Sequence, residues 1–119
     1  MTTLRVGIAS YDEMRSRTLE IARGKRKPTK GEPKIWFTSA ESFAKVLSDK
    51  NRALLDLIVE TEPESIAELA ERTGRKKSNL SRTLHTMEHY GLVVLKRAAK
   101  GRIIPKVPYS NIALTMPIG

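Results

Sequence analysis

The sequence predicts a mainly α-helical chain with a small β component: a three-helix core carrying a β-hairpin, preceded by a strand-helix extension. Three observations carry this reading. Between Ser65 and His89 two apolar-periodic runs are joined at a glycine, Gly74. Directly behind them, two β-rich stretches flank a basic turn, Lys96 to Arg102, centred on Gly101. At the other end, Leu4 to Ala9 alternates with period two, and helical spacing follows from Tyr11.

In chain order, Leu4-Arg5-Val6-Gly7-Ile8-Ala9 reads as a strand. Tyr11, Met14, Thr18, Ile21 and Ala22 make one face of a short helix that Ser10 or Asp12 caps. These elements need a cover. Either they fold back beside the last strand, Asn111 to Met116, or they pair with the same elements of a second copy. Gly24 to Pro33, GKRKPTKGEP, reads as a basic linker: an arm along a nucleic-acid backbone or a solvated connection. Thr38 with Glu41 forms a capping box for a helix through Phe43, Val46 and Leu47. Ser48-Asp49 caps the next, about Lys50 to Glu60, which buries Leu54, Leu55, Leu57 and Ile58 as the first core helix.

Ser65, three residues ahead of Glu68, forms another capping box and opens a helix with Ile66, Leu69 and Ala70 on one face. Gly74 permits the sharp turn into a second helix, buried through Leu80, Leu84 and Met87. Gly91 ends that helix, Leu92-Val93-Val94-Leu95 reads as a strand, and Ile103-Ile104-Pro105-Lys106-Val107 returns from the basic turn.

At about 100° per residue, Ser78, Arg82, His85 and His89 point away from the buried stripe of the second helix, with Asn79, Ser81 and Thr86 on the flanks. Asn pairs with adenine, Arg with guanine, and Ser or Thr with several acceptors, so this is an inventory suited to base edges in a major groove. No acid occupies the outermost strip. Lys100 and Arg102 at the hairpin tip supply cations for phosphate. A polar outer face also suits any small helical protein, and a helix-turn-helix shape also serves protein contacts.

Helix pair and hairpin together resemble the winged helix-turn-helix repressors of the MarR and ArsR type. The phrases EPKIWFTSAESFAKVLSDKNRALLDLI, PESIAELAERTGRKKSNLSRTLHTMEHYGLV and GRIIPKVPYSNIAL resemble a family of short prokaryotic transcriptional regulators, some of which serve as antitoxins of toxin-antitoxin operons. The resemblance covers nearly the whole chain. It implies a winged helix-turn-helix fold, binding to double-stranded DNA and a homodimeric repressor acting near its own gene; the alternative it implies is an antitoxin that binds a toxin protein. The sequence departs from that pattern where Lys76 and Lys77 replace the small polar or acidic cap after the Gly-Arg pair. Cations there oppose the helix dipole unless a phosphate docks on the same amides.

The net charge of +9 is unevenly spread: residues 1–40 carry +5, residues 41–64 carry −3 and residues 65–119 carry +7. No Asp or Glu follows Glu88. Basicity therefore follows the proposed DNA-facing half, although a basic surface alone separates DNA neither from RNA nor from an acidic protein. Few aromatic residues are available as RNA-stacking platforms. The absence of cysteine excludes disulfides and thiolate metal sites. With no membrane span and no secretory leader in the sequence, the expectation is a cytoplasmic protein with no membrane partner.

His85-Thr86-Met87-Glu88-His89 matches the H-x-x-E-H zinc-protease pattern, but no acid or further His follows to supply a third ligand. No enzyme activity and no cofactor are expected. The expected organisation is an extension over 1–23, a basic linker over 24–37 and the winged domain over 38–119. The expected DNA-contacting residues are Lys76, Lys77, Ser78, Asn79, Ser81, Arg82, His85, Lys100 and Arg102.

Overall fold

The computed structural model describes residues 2–24 and 33–116. Along them run β1 (Thr3–Ile8), α1 (Tyr11–Ala22), β2 (Ile35–Phe37), α2 (Ala40–Val46), α3 (Asp49–Thr61), α4 (Ile66–Thr73), α5 (Lys77–His89), β3 (Val94–Arg97), β4 (Ile103–Lys106) and β5 (Asn111–Thr115). About half of this small α/β chain is helical. The residues gather into two compact units, Met1–Lys45 with Asn111–Gly119, and Val46–Ser110. The division differs from the expected one: residues 38–45 and β5 go with the N-terminal segment.

The first unit is built on a parallel three-stranded sheet of order β2-β1-β5. Ser10 caps α1, accepting from the Glu13 amide at 3.2 Å while Glu13 Oε2 accepts from the Ser10 amide at 3.3 Å, a reciprocal box. The helix then crosses from β1 to β2, which lie side by side with Val6 opposite Ile35 and Ile8 opposite Phe37. A parallel pair needs a crossover of this kind, and α1 provides it. The expected linker over 24–37 is thus corrected at its end: Ile35–Phe37 is a strand, because Ile, Trp and Phe favour the pleated, half-buried setting beside β1. Residues 25–32, the heart of that linker, lie outside the described residues.

On its other side β1 pairs with β5, Leu4 opposite Ile112 and Val6 opposite Leu114. The N-terminal strand has therefore folded back beside the last strand of its own chain. With both edges of β1 occupied, pairing of that strand with a second copy is closed. Leu4, Val6 and Ile8 are buried, and the Phe37 ring meets Phe43 of α2 edge to face at 5.4 Å. On the opposite face of the sheet, Gly7 leaves room for the Trp36 ring: a Cβ at Gly7 would lie 2.5 Å from Trp36 Cζ3. The Arg17 guanidinium of α1 sits over that ring, 5.4 Å from its centroid. Of the face expected for α1, Met14 and Ile21 are half-buried while Tyr11 (71% exposed), Thr18 and Ala22 are exposed, and Arg17 joins the half-buried side. The cap of α2 is also shifted by one residue, since Ser39 rather than Thr38 accepts from the Ser42 amide.

The second unit carries α3, α4, α5 and the antiparallel pair β3-β4. Ser48 caps α3 by accepting from the Asn51 amide, and Leu54, Leu55 and Ile58 are buried, with Leu57 only half covered. Glu62 adopts a left-handed conformation (φ 45°) and buried Pro63 follows, which stops α3. Ser65 caps α4, accepting from Glu68. The Glu68 carboxylate returns to the amide of Glu64 at 3.0 Å, one residue earlier than a standard box would place it. Ile66 and Leu69 of α4 and Leu80, Leu84 and Met87 of α5 are buried together with Leu92 and Val93.

Gly74, at φ 72°, ends α4 and donates to Ala70 O, so the chain turns through Gly74, Arg75 and Lys76 into α5. At the far end of α5 the Leu92 amide donates to Met87 O and the Gly91 amide to Glu88 O, both at 2.9 Å, with Gly91 at φ 76°. This is a Schellman closure, sealed by the apolar pair Leu92 and Met87. Strand β3 begins at Val94, not Leu92, because Leu92 and Val93 are spent on that closure and on the interior. Buried Pro105 of β4 stands opposite Leu95.

Candidate nucleic-acid interface

Helix α5 is fixed from one side only. Leu80, Leu84 and Met87 are fully buried, and the geometry of a helix then forces the opposite strip outward. Ser78, Asn79, Arg82, His85, Thr86 and His89 are all exposed, as expected, and Ser81 is half-covered. Arg82, His85, Thr86 and His89 line a shallow open groove completed by Tyr90, a residue not expected there. The His89 and Tyr90 rings meet edge to face at 5.2 Å. His85 Nδ1 lies 2.6 Å from Ser81 O; a carbonyl only accepts, so Nδ1 carries the hydrogen and the other ring nitrogen, Nε2, is the one left for an outside partner. Thr86 Oγ1 donates back to Arg82 O at 3.1 Å, which leaves its methyl and hydroxyl oxygen on the surface.

The start of α5 carries exposed Lys76 and Lys77, and Lys76 occupies the cap position with no side-chain cap bond. Arg75, just ahead, was missed by the sequence reading. Its Nη2 donates to Asn79 Oδ1 at 2.8 Å and to Thr83 Oγ1 at 3.3 Å, and its Nε reaches the same Asn79 oxygen at 3.2 Å. The spacing of Arg75, Asn79 and Thr83, four residues apart along one helical line, was the available signal.

At the hairpin tip the Ala98 amide donates to Arg102 O at 2.8 Å, closing a five-residue loop between Arg97 and Ile103. Lys100 stands at its apex with φ 62°, followed by Gly101 at φ 73°. A non-glycine residue pays about 1–2 kcal/mol for that left-handed backbone. Arg102 has an acidic neighbour: its Nη1 lies 3.7 Å from Glu64 Oε2 of the α3-α4 connection. Lys96, Arg97 and Lys106 add exposed cations along the hairpin.

Behind α5, Glu68 of α4 accepts from Arg72 at 3.2 Å as well as from the Glu64 amide. That amide first, and Arg72 second, hold its carboxyl below the ordinary value of 4.5. In the H-x-x-E-H segment Met87 is fully buried while His85 and His89 are exposed. Among the described residues no three His, Cys, Asp or Glu side chains gather where they could hold a metal ion. No helix among them is long and apolar enough to cross a membrane.

The model of the HVO_A0114 family matches residues 46–114, more than half of the 119-residue chain. The chain belongs to the HVO_A0114 family. The HVO_A0114 match spans the whole Val46–Ser110 unit, with α5 and the hairpin, and runs on into β5. No curated protein and no solved structure matches the chain.

Proposed function

We propose that this HVO_A0114 protein is a sequence-specific DNA-binding transcriptional regulator whose Val46–Ser110 unit acts as a winged helix-turn-helix head. Helix α5 enters the major groove and the β3-β4 hairpin serves as the wing. The observation that carries the reading is the outward strip of α5: Ser78, Asn79, Arg82, His85, Thr86 and His89 are exposed, acid-free and backed by the buried Leu80, Leu84 and Met87. A rigid helix with one anchored face and one donor-rich face is what base-edge readout requires. Lys76 and Lys77 flank the open amides at the start of α5, where a phosphate docks favourably. Lys100 meets phosphate from the wing, while Arg102 exchanges Glu64 for DNA.

The protein acts as a homodimeric repressor at an operator near its own gene. The operator is accordingly an inverted repeat with half-sites about one helical turn apart, or a multiple of it. The chain works in the cytoplasm, with duplex DNA as its partner.

The test is a titration of labelled duplexes at several salt concentrations, with wild type and Arg82→Ala. Binding that weakens log-linearly with salt supports the reading, as does an Arg82→Ala loss of about 1–3 kcal/mol on a selected operator with little change on random duplex. No binding at tens of micromolar protein in low salt refutes it. Equal losses on both duplexes reduce Arg82 to a phosphate clamp.

A further inference from the structure

Arg75 carries only donors, and two of them, Nη2 at 2.8 Å and Nε at 3.2 Å, converge on Asn79 Oδ1. The amide oxygen of an exposed asparagine in the first turn of α5 is therefore saturated from within the protein. Its Nδ2 group lies on the other side of the amide. Thr83 Oγ1, 3.3 Å from the same Nη2, braces the guanidinium from the next turn of the helix. Pairing with adenine needs an acceptor and a donor on one amide, matched to N6–H and N7. Asn79 held in this way has only the donor half to offer.

From this we infer that Arg75 is a positioning residue that turns Asn79 from an adenine reader into a donor-only reader, selecting the guanine N7/O6 edge at its base pair. The inference rests on the DNA-binding reading above and deepens it. Guanine presents two adjacent acceptors to the major groove, and Nδ2 has two hydrogens to give them. Adenine sets its N6–H donors against the second of those hydrogens, and cytosine presents a donor alone, so both are disfavoured. Arg75 thereby shapes specificity without touching a base.

The experiment is selection of binding sites from a randomised duplex library with the full-length protein. Wild type, Asn79→Ala, Asn79→Asp and Arg75→Met are run in parallel, with circular dichroism to show that each folds. Wild type is expected to select a motif in which Asn79→Ala relaxes one guanine, by roughly tenfold in preference, the scale of one base-edge contact. Arg75→Met keeps an unbranched apolar stem but is shorter and removes every side-chain donor. It should shift that same position to adenine and leave the rest of the motif unchanged. Asn79→Asp keeps the Arg75 fork and exposes only acceptor character, so it should shift the position toward cytosine.

A merely structural role for Arg75 would lower affinity across the motif without switching one base, and that result overturns the proposal. So does a wild-type adenine at the position that Asn79→Ala relaxes, or an Asn79→Ala motif identical to wild type. In those cases the protein still reads DNA and only the role of Arg75 falls. If wild type selects no motif at all, the DNA-binding reading fails and takes this inference with it.

Discussion

Replacing Gly7 by Ala places a methyl group 2.5 Å from Trp36 Cζ3, 2.6 Å from Cε3 and 3.0 Å from Pro33 Cγ. Contacts that short force the indole ring to move, and it moves against Arg17, which stacks 5.4 Å from its centroid. Overpacking of this kind costs about 1–3 kcal/mol. Alanine recovers about 0.5–1 kcal/mol over glycine within a strand, because less backbone entropy is lost on folding. The net expectation is a loss of about 1 kcal/mol from the first unit, and at most about 2.5 kcal/mol. Trp36 is the only tryptophan in the chain, so its fluorescence during urea unfolding reports that unit directly. The midpoint should fall, and the native emission should shift as the ring leaves the sheet. A cycle with Trp36→Leu, followed by circular dichroism, isolates the cause: on that background Gly7→Ala should be neutral or stabilising. An unchanged midpoint in the wild-type background, or the same cost with and without the indole, would refute the argument that β1 carries glycine to seat Trp36.

Three further outcomes follow from the second unit. Lys100→Gly relieves a left-handed backbone, so it should stabilise the protein by up to about 1 kcal/mol in thermal unfolding while shallowing the salt dependence of duplex binding by about one unit. Glu64→Gln frees Arg102, and should tighten binding to operator and random duplex alike; unchanged affinity would mean that the hairpin faces away from DNA. Glu68 has a lowered folded-state pKa, so its stabilising charge is fully present above its ordinary value of 4.5 and is lost as pH falls through the folded value. Glu68→Gln should therefore be less stable than wild type at neutral pH and converge with it in acid, which unfolding midpoints across pH 2–7 would test.

The second unit was legible because its signals are local. Ser48, Ser65, Gly74 and Gly91 each fix a helix end within a few residues, and Leu80, Leu84 and Met87 declare the buried side of α5 by spacing alone. The first unit was legible only in pieces. Its central fact, the parallel pairing of β1 with both β2 and β5, joins residues over a hundred positions apart in one case and leaves no periodic trace. The three residues of β2 were hidden behind a run of lysines and prolines. Tyr11 was misplaced because helical spacing fixes a face only when several residues are actually covered, and no residue of α1 is fully buried. At the candidate site the exposed strip of α5 could be read from phase, but the Arg75 fork and the Arg102–Glu64 pair depend on side-chain reach that composition does not reveal.

Immunoprecipitation of genomic DNA with the tagged full-length protein, beside an Arg82→Ala control, tests the central claim most directly. The account predicts sharp enrichment at a small number of sites that share a motif, one of them upstream of the protein's own gene, with that enrichment lost in Arg82→Ala. Uniform recovery of DNA by the wild-type protein, or the same sites recovered equally by Arg82→Ala, would contradict it.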